Sequence, residues 1–168
     1  MIRMNTPMRE LAGDRPLDMA SWEAVPPSLR TLIDPGWVIE ADGACLLVAL
    51  RDGYHGSRAV FADATGFEAS VNGLGIPDRD LGAEAGERTR DLFVRAVSYA
   101  AFALTRAEST TATGGLTAVV SLSNSLEEEP GVTARVTFFL ERDDEPSLVE
   151  DVDAYREEAL LVFRRSDL

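Results

Sequence analysis

From residue 37 the apolar positions recur at every second residue. Trp37, Ile39 and Ala41 alternate with Val38 and Glu40, and Ala44, Leu46, Val48 and Leu50 return along one face. Between them Asp42-Gly43 predicts a type I′ hairpin turn, because both central residues of that turn need positive φ. A second turn signal, Asp52-Gly53, leads through Tyr54-His55-Gly56 to a short run at 58–62. Asp63-Ala64-Thr65-Gly66 then turns into Phe67, Ala69 and Val71, so the pattern predicts a meander of four strands. The same period returns in Leu116, Ala118, Val120 and Leu122 and in Val132, Ala134, Val136, Phe138 and Leu140. Residues 124–131, which include Glu127-Glu128-Glu129, join these two strands as a long hairpin loop.

Elsewhere the period is helical. Ser28 is placed to cap a short helix through Leu29, Leu32 and Ile33, which Asp34-Pro35-Gly36 ends. Over 81–106 a polar stripe at Glu84, Arg88, Asp91, Arg95 and Ser98 opposes an apolar face of Leu92, Phe93, Ala96, Val97, Ala100, Ala103 and Leu104, which predicts a long central helix. Near the end, Ser147 and Glu150 have capping-box spacing, with Leu148, Val152, Tyr155, Ala159 and Val162 on one helical face; residues 159–163 also read as a closing strand. The first 20 residues, with Met4, Met8, Met19, Pro7 and Pro16 among polar residues, keep no period. They read as a frayed tail or an over-extended start.

The expected fold is therefore α+β, in the order α-β-β-β-β-α-β-β-α: a single antiparallel sheet of about six strands, a long helix packed across it and a C-terminal helix. Residues 21–168 form one domain, with Trp37, Leu46, Val48, Phe93, Val97, Ala100, Val120, Val136 and Phe138 in one core. An apolar content of 45% over 168 residues suffices for such a core.

Charge narrows the partners. The chain carries 29 Asp plus Glu against 16 basic residues, all arginine, for a net charge of −13. Such a surface repels phosphate backbones and anionic lipid headgroups, so neither nucleic acid nor a membrane is expected to be a partner. Without lysine there is no Schiff base and no P-loop. Cys45, the lone cysteine, sits in the apolar run Cys45-Leu46-Leu47-Val48 and reads as a small buried hydrophobe. With no signal-peptide core and no long apolar span, a cytoplasmic location is expected.

Little in the sequence supports catalysis. His55 is the only histidine, so a two-histidine metal site is excluded and any Ser-His or Cys-His site must use it as base. Gly73-Leu74-Gly75 lacks the third glycine of a dinucleotide-binding turn and reads as a strand-to-helix corner. No catalytic residue, metal site or cofactor is expected. The acidic runs at 127–129, 143–145 and 150–153 solubilise the chain, and the first two flank one strand, where they can steer a basic protein. The expected partner-binding residues are Asp52, Tyr54, His55, Glu127, Glu128 and Glu129.

In size, acidity, arginine-only composition and element order over 37–163, the chain resembles immunity proteins, the antitoxins of actinobacterial polymorphic toxins. It is also similar to the YbjN-like and secretion-chaperone peptide-binding domains. The first resemblance implies a non-catalytic protein that occludes the active site of a basic toxin domain; the second implies a groove or sheet edge for an unfolded segment. A third reading is a small enzyme built on Tyr54 and His55. The composition is also compatible with a homodimer.

Overall fold

A computed structural model describes residues 1–108, 113–124 and 131–168. In chain order its elements are β1 (Arg3–Met4), α1 (Thr6–Ala12), α2 (Pro27–Ile33), β2 (Trp37–Ile39), β3 (Cys45–Leu47), α3 (Val48–Asp52), α4 (Ala64–Val71), β4 (Leu74–Gly75), α5 (Ala85–Thr105), β5 (Leu116–Asn124), β6 (Val132–Leu140) and β7 (Glu158–Arg164), with short 3-10 turns between them. The fold is α+β. A five-stranded antiparallel sheet has the order β1-β7-β5-β6-β4, and β2 and β3 form a separate two-stranded sheet.

The alternation in β5 and β6 decides which face each residue occupies. Register pairs Val120 with Val136 and with Leu161, so the even residues of β5 and β6 and the odd residues of β7 share one face. On that face Ala118, Val120, Val136, Phe138, Leu161 and Phe163 meet Leu92, Phe93, Val97 and Ala100 of α5 in the main core. Each large side chain so buried contributes about 1.5–3 kcal/mol. The opposite face carries Val119, Phe139, Leu160 and Val162, covered by Val149 and Val152 of the segment that follows β6.

Several expectations are corrected. Only the first hairpin of the meander exists. Its turn is not type I′, because Gly43 alone has positive φ (85°) and its amide donates to Glu40. This is a three-residue loop closed by a glycine. Residues 58–60 form a 3-10 turn and 64–71 form α4. The hairpin is buried on both sides: Cys45 and Leu47 join the main core, while Ala44 and Leu46 join Phe67 and Val71 in a second cluster. Leu46 thus leaves the expected core, and Val48 is only half-buried. The C-terminal helix is absent. Residues 158–164 are β7, the closing-strand alternative, and the Ser147 hydroxyl donates to the Val149 carbonyl instead of capping a helix.

Residues 1–20, expected to fray, instead carry β1, α1 and a 3-10 turn. Met8 is fully buried, and Asn5 caps α1 while its side chain bonds Leu160, Glu158 and Tyr155. This segment and the 3-10 turn at Trp22–Ala24 cover the far side of α5. There Ser98 accepts from the Ser21 amide and Arg95 pairs with Asp80, so the end of the polar stripe is buried.

Candidate functional site

The segment between α3 and α4 is a loop pinned at both ends by aromatic rings. Tyr54 at its start and Phe61 at its end both pack against Phe67 of α4, with ring centroids 5.9 and 5.5 Å apart. Arg58, between them, lies over the same ring at 5.2 Å. Its Nε donates to Asp42 Oδ2 at 2.9 Å and its Nη1 to the Phe61 carbonyl at 3.1 Å. Ser57 caps the 3-10 turn at Arg58–Val60, and Asp63 caps α4 through the Gly66 amide. Gly56 has no room for a side chain, since a Cβ there would collide with the Tyr54 hydroxyl. A surface loop whose ends are joined through its own side chains is a compact, pre-organised unit.

The unit exposes one large apolar side chain beside ion-paired carboxylates. Val60 is 75% exposed, the highest value of any large apolar residue among the described residues after Met1. His55 and Ala59 are exposed beside it in sequence. Asp42 reaches the loop through Arg58, while Arg51 pairs with Glu40 at 3.1 Å and Asp52 at 2.8 Å. The Arg58 hydrogen bond, helped by the Ala44 amide, holds the Asp42 carboxyl below its ordinary range. Asp42 therefore stays ionised at neutral pH.

Beneath the loop, α4 does the work of a missing strand. Glu68 and Asn72 lie four residues apart on one face, fully buried, between β3 and β6. Glu68 accepts from the Cys45 amide at 2.6 Å and the Leu140 amide at 2.7 Å. Asn72 accepts from the Leu47 amide at 3.0 Å and donates to the Cys45 and Phe138 carbonyls at 2.9 and 3.2 Å. Two side chains thus satisfy backbone edges that a ladder would otherwise pair. Arg142 neutralises Glu68 at 2.6 Å and donates to the Gly43 carbonyl at 3.0 Å, which ties the hairpin turn to the end of β6. Glu145 closes the N-terminus of α4, accepting from the Thr65 amide and hydroxyl at 2.8 and 2.7 Å. Burial would raise its carboxyl, but Thr65, the Ala64 amide and Arg142 outweigh that and lower it. Cys45 is buried here, and its thiol is pushed up to about 12 by desolvation and by the charge of Glu68. It has no thiolate character at neutral pH.

The expected binding residues are now placed. Asp52 is exposed at the foot of the loop, His55 is exposed, and Tyr54 faces inward as a pin. Among the described residues the His55 ring has no hydrogen-bonding partner. Glu127, Glu128 and Glu129 lie outside the described residues. Their strands end at Asn124 and Val132, about 27 Å along β6 from Leu140, where α4 and the loop sit. The acidic run next to the loop is 143–145, through Glu145. Sequence reasoning missed Val60, Arg58 and Phe61 because it placed 58–62 in a strand. The signal was Asp63-x-x-Gly66, a helix N-cap that makes the preceding residues a loop.

The chain matches no family model, no curated protein and no solved structure.

Proposed function

We propose that the protein is a non-catalytic protein-binding domain that docks the 54–61 loop into a partner, in the manner of an immunity protein occluding the active site of a cognate toxin. The carrying observation is the double pinning of that loop on Phe67 with Val60 exposed within it. A loop already ordered loses little entropy on docking, and an exposed apolar side chain on it can fill a pocket. Asp42 and Asp52 beside it are ion-paired with Arg58 and Arg51, and it is the net charge of −13 over the whole chain that favours a basic partner. A cytoplasmic setting suits this role, and the same charge disfavours nucleic acid and membranes.

The chaperone reading has less support. A segment-binding module needs a long open edge, whereas the five-stranded sheet ends in the two-residue strands β1 and β4, with Asn5 beside one and Asn72 and Glu68 beside the other. The enzyme reading rests on Tyr54 and His55, and Tyr54 packs inward against Phe67.

The test is tagged expression in the native host. Wild-type protein should retain a basic protein that inhibits growth when expressed alone and is neutralised by co-expression of this chain. The Val60→Asp variant, equally stable because Val60 is exposed, should retain far less of it. Equal recovery by both forms would remove the loop from the interface. Turnover of a small molecule that disappears in His55→Ala, with no protein retained, would overturn the binding reading in favour of an enzyme.

A further inference from the structure

The two-stranded sheet has one closed edge and one open edge. Register pairs Val38 with Leu46, and the bonds from the Val48 amide to Gly36 and from the Glu40 amide to Ala44 bracket that pair. The even residues of β2 therefore bond β3, and the odd residues turn their amides and carbonyls outward. The same alternation turns Cys45 and Leu47 of β3 outward, where Glu68 and Asn72 of α4 accept from their amides. β2 has no such cover: the amides and carbonyls of Trp37 and Ile39 have no hydrogen-bonding partner among the described residues.

A groove of about 490 Å³ runs along that edge. Successive strand residues alternate between two faces, so a cavity bordered by Gly36, Trp37, Val38 and Ile39 together lies beside the strand and not over one face. The opposite wall is the segment after α5, with Arg106 and Glu108. Trp37 fixes the edge in place: its indole Nε1 donates to the Ala103 carbonyl at 2.8 Å and its ring packs edge-on against Phe138 at 5.3 Å. Ile39, on the same face of the strand, is 41% exposed. Arg106 is met by Asp34 at 3.2 Å, whereas Glu108 is exposed and makes no ion pair among the described residues. The uncompensated charge of the groove is thus negative.

We infer that this edge takes an extended, basic segment of a protein partner as a third strand, antiparallel to β2. Two residues of that segment exchange backbone bonds with Trp37 and Ile39, an apolar side chain lies beside Ile39, and cations occupy alternate positions. Backbone bonding selects the strand form and the side chains select the sequence. Charge selects the occupant: Glu108 and the net charge of −13 attract a basic segment and oppose a second copy of this chain. With three residues, β2 supplements a larger interface and is too short to hold a long unfolded segment. The inference does not depend on the 54–61 loop, whose failure as a docking surface would leave it intact.

The probe is acetyl-Arg-Val-Arg-Val-Arg-amide, titrated into the full chain to about 10 mM and followed by amide NMR. In the free chain the Trp37 and Ile39 amides should exchange with solvent about tenfold or more faster than those of Val38 and Glu40, and saturating peptide should protect them. N-methylation of both valines keeps the charge but removes the donors to the Trp37 and Ile39 carbonyls, and should weaken binding about tenfold or more. N-methylation of the central arginine, whose amide faces away from β2, should be tolerated. Ile39→Pro deletes an outward donor that β3 does not use, at a position where edge strands accept proline, and should weaken the peptide about fivefold at an unchanged melting temperature. Acetyl-Glu-Val-Glu-Val-Glu-amide should not bind. Equal binding of the valine-methylated peptide would show attraction to net charge only and overturn the assignment. So would the absence of saturable binding, or Trp37 and Ile39 amides already protected in the free chain; protection that grows with protein concentration would give the edge to a second copy instead. If Ile39→Pro fails to fold, the methylated peptides on the wild-type chain decide the question alone.

Discussion

Asn72 and Tyr99 are both fully buried polar residues, and they have opposite energetic meanings. Asn72 satisfies one amide and two carbonyls at the junction of β3 and β6. Truncation to Ala leaves those groups without a partner in a dry site, at a cost of about 1–3 kcal/mol for each exposed deficit, so Asn72→Ala should destabilise by about 3 kcal/mol in urea unfolding. The Tyr99 hydroxyl has no hydrogen-bonding partner among the described residues, and its burial raises its pKa. Removing it takes away a desolvated donor while keeping the ring that packs edge-on against Phe138 at 5.8 Å. Tyr99→Phe is therefore expected to leave stability unchanged or raise it by about 1 kcal/mol. A loss above that would mean the hydroxyl is satisfied in solution.

At the scale of elements, legibility depended on length. The nine-residue alternation of β5 and β6 and the apolar face of α5 were readable because each repeats its period several times. In 64–71 two periods coincide: Phe67, Ala69 and Val71 alternate like a strand, while Phe67 and Val71 also sit four apart like a helix. Glu68 and Asn72 break the tie only because they are buried, which a strand with a polar outer face does not predict. The N-cap at Asp63 was the local clue to α4 and hence to the loop before it. β7 was obscured differently. Its Leu160, Leu161, Val162 and Phe163 are all buried because both faces of the strand are covered, so no alternation survives to be read. Helix and strand assign Leu161 differently: it lies off the expected helical face, but in β7 it packs into the main core. Leu161→Asp should accordingly abolish the cooperative melt. A folded variant would contradict the strand.

On the proposed function, net charge and loop order act at different stages of binding at the scale of the whole molecule. A charge of −13 would set how fast a basic partner arrives and how strongly salt slows that arrival; the pinned loop would set how long the partner stays. The proposed docking loop was only partly legible in the sequence. Asp52 and His55 stood out in the sequence as polar turn residues, whereas Val60 acquires meaning only once Tyr54, Arg58 and Phe61 converge on Phe67. The most direct measurement is the dissociation rate of the retained partner from wild-type protein and from Val60→Asp, at matched melting temperature. Loss of a buried anchor of about 2 kcal/mol should speed dissociation by about thirtyfold and leave association nearly unchanged. An unchanged dissociation rate would contradict docking through the loop.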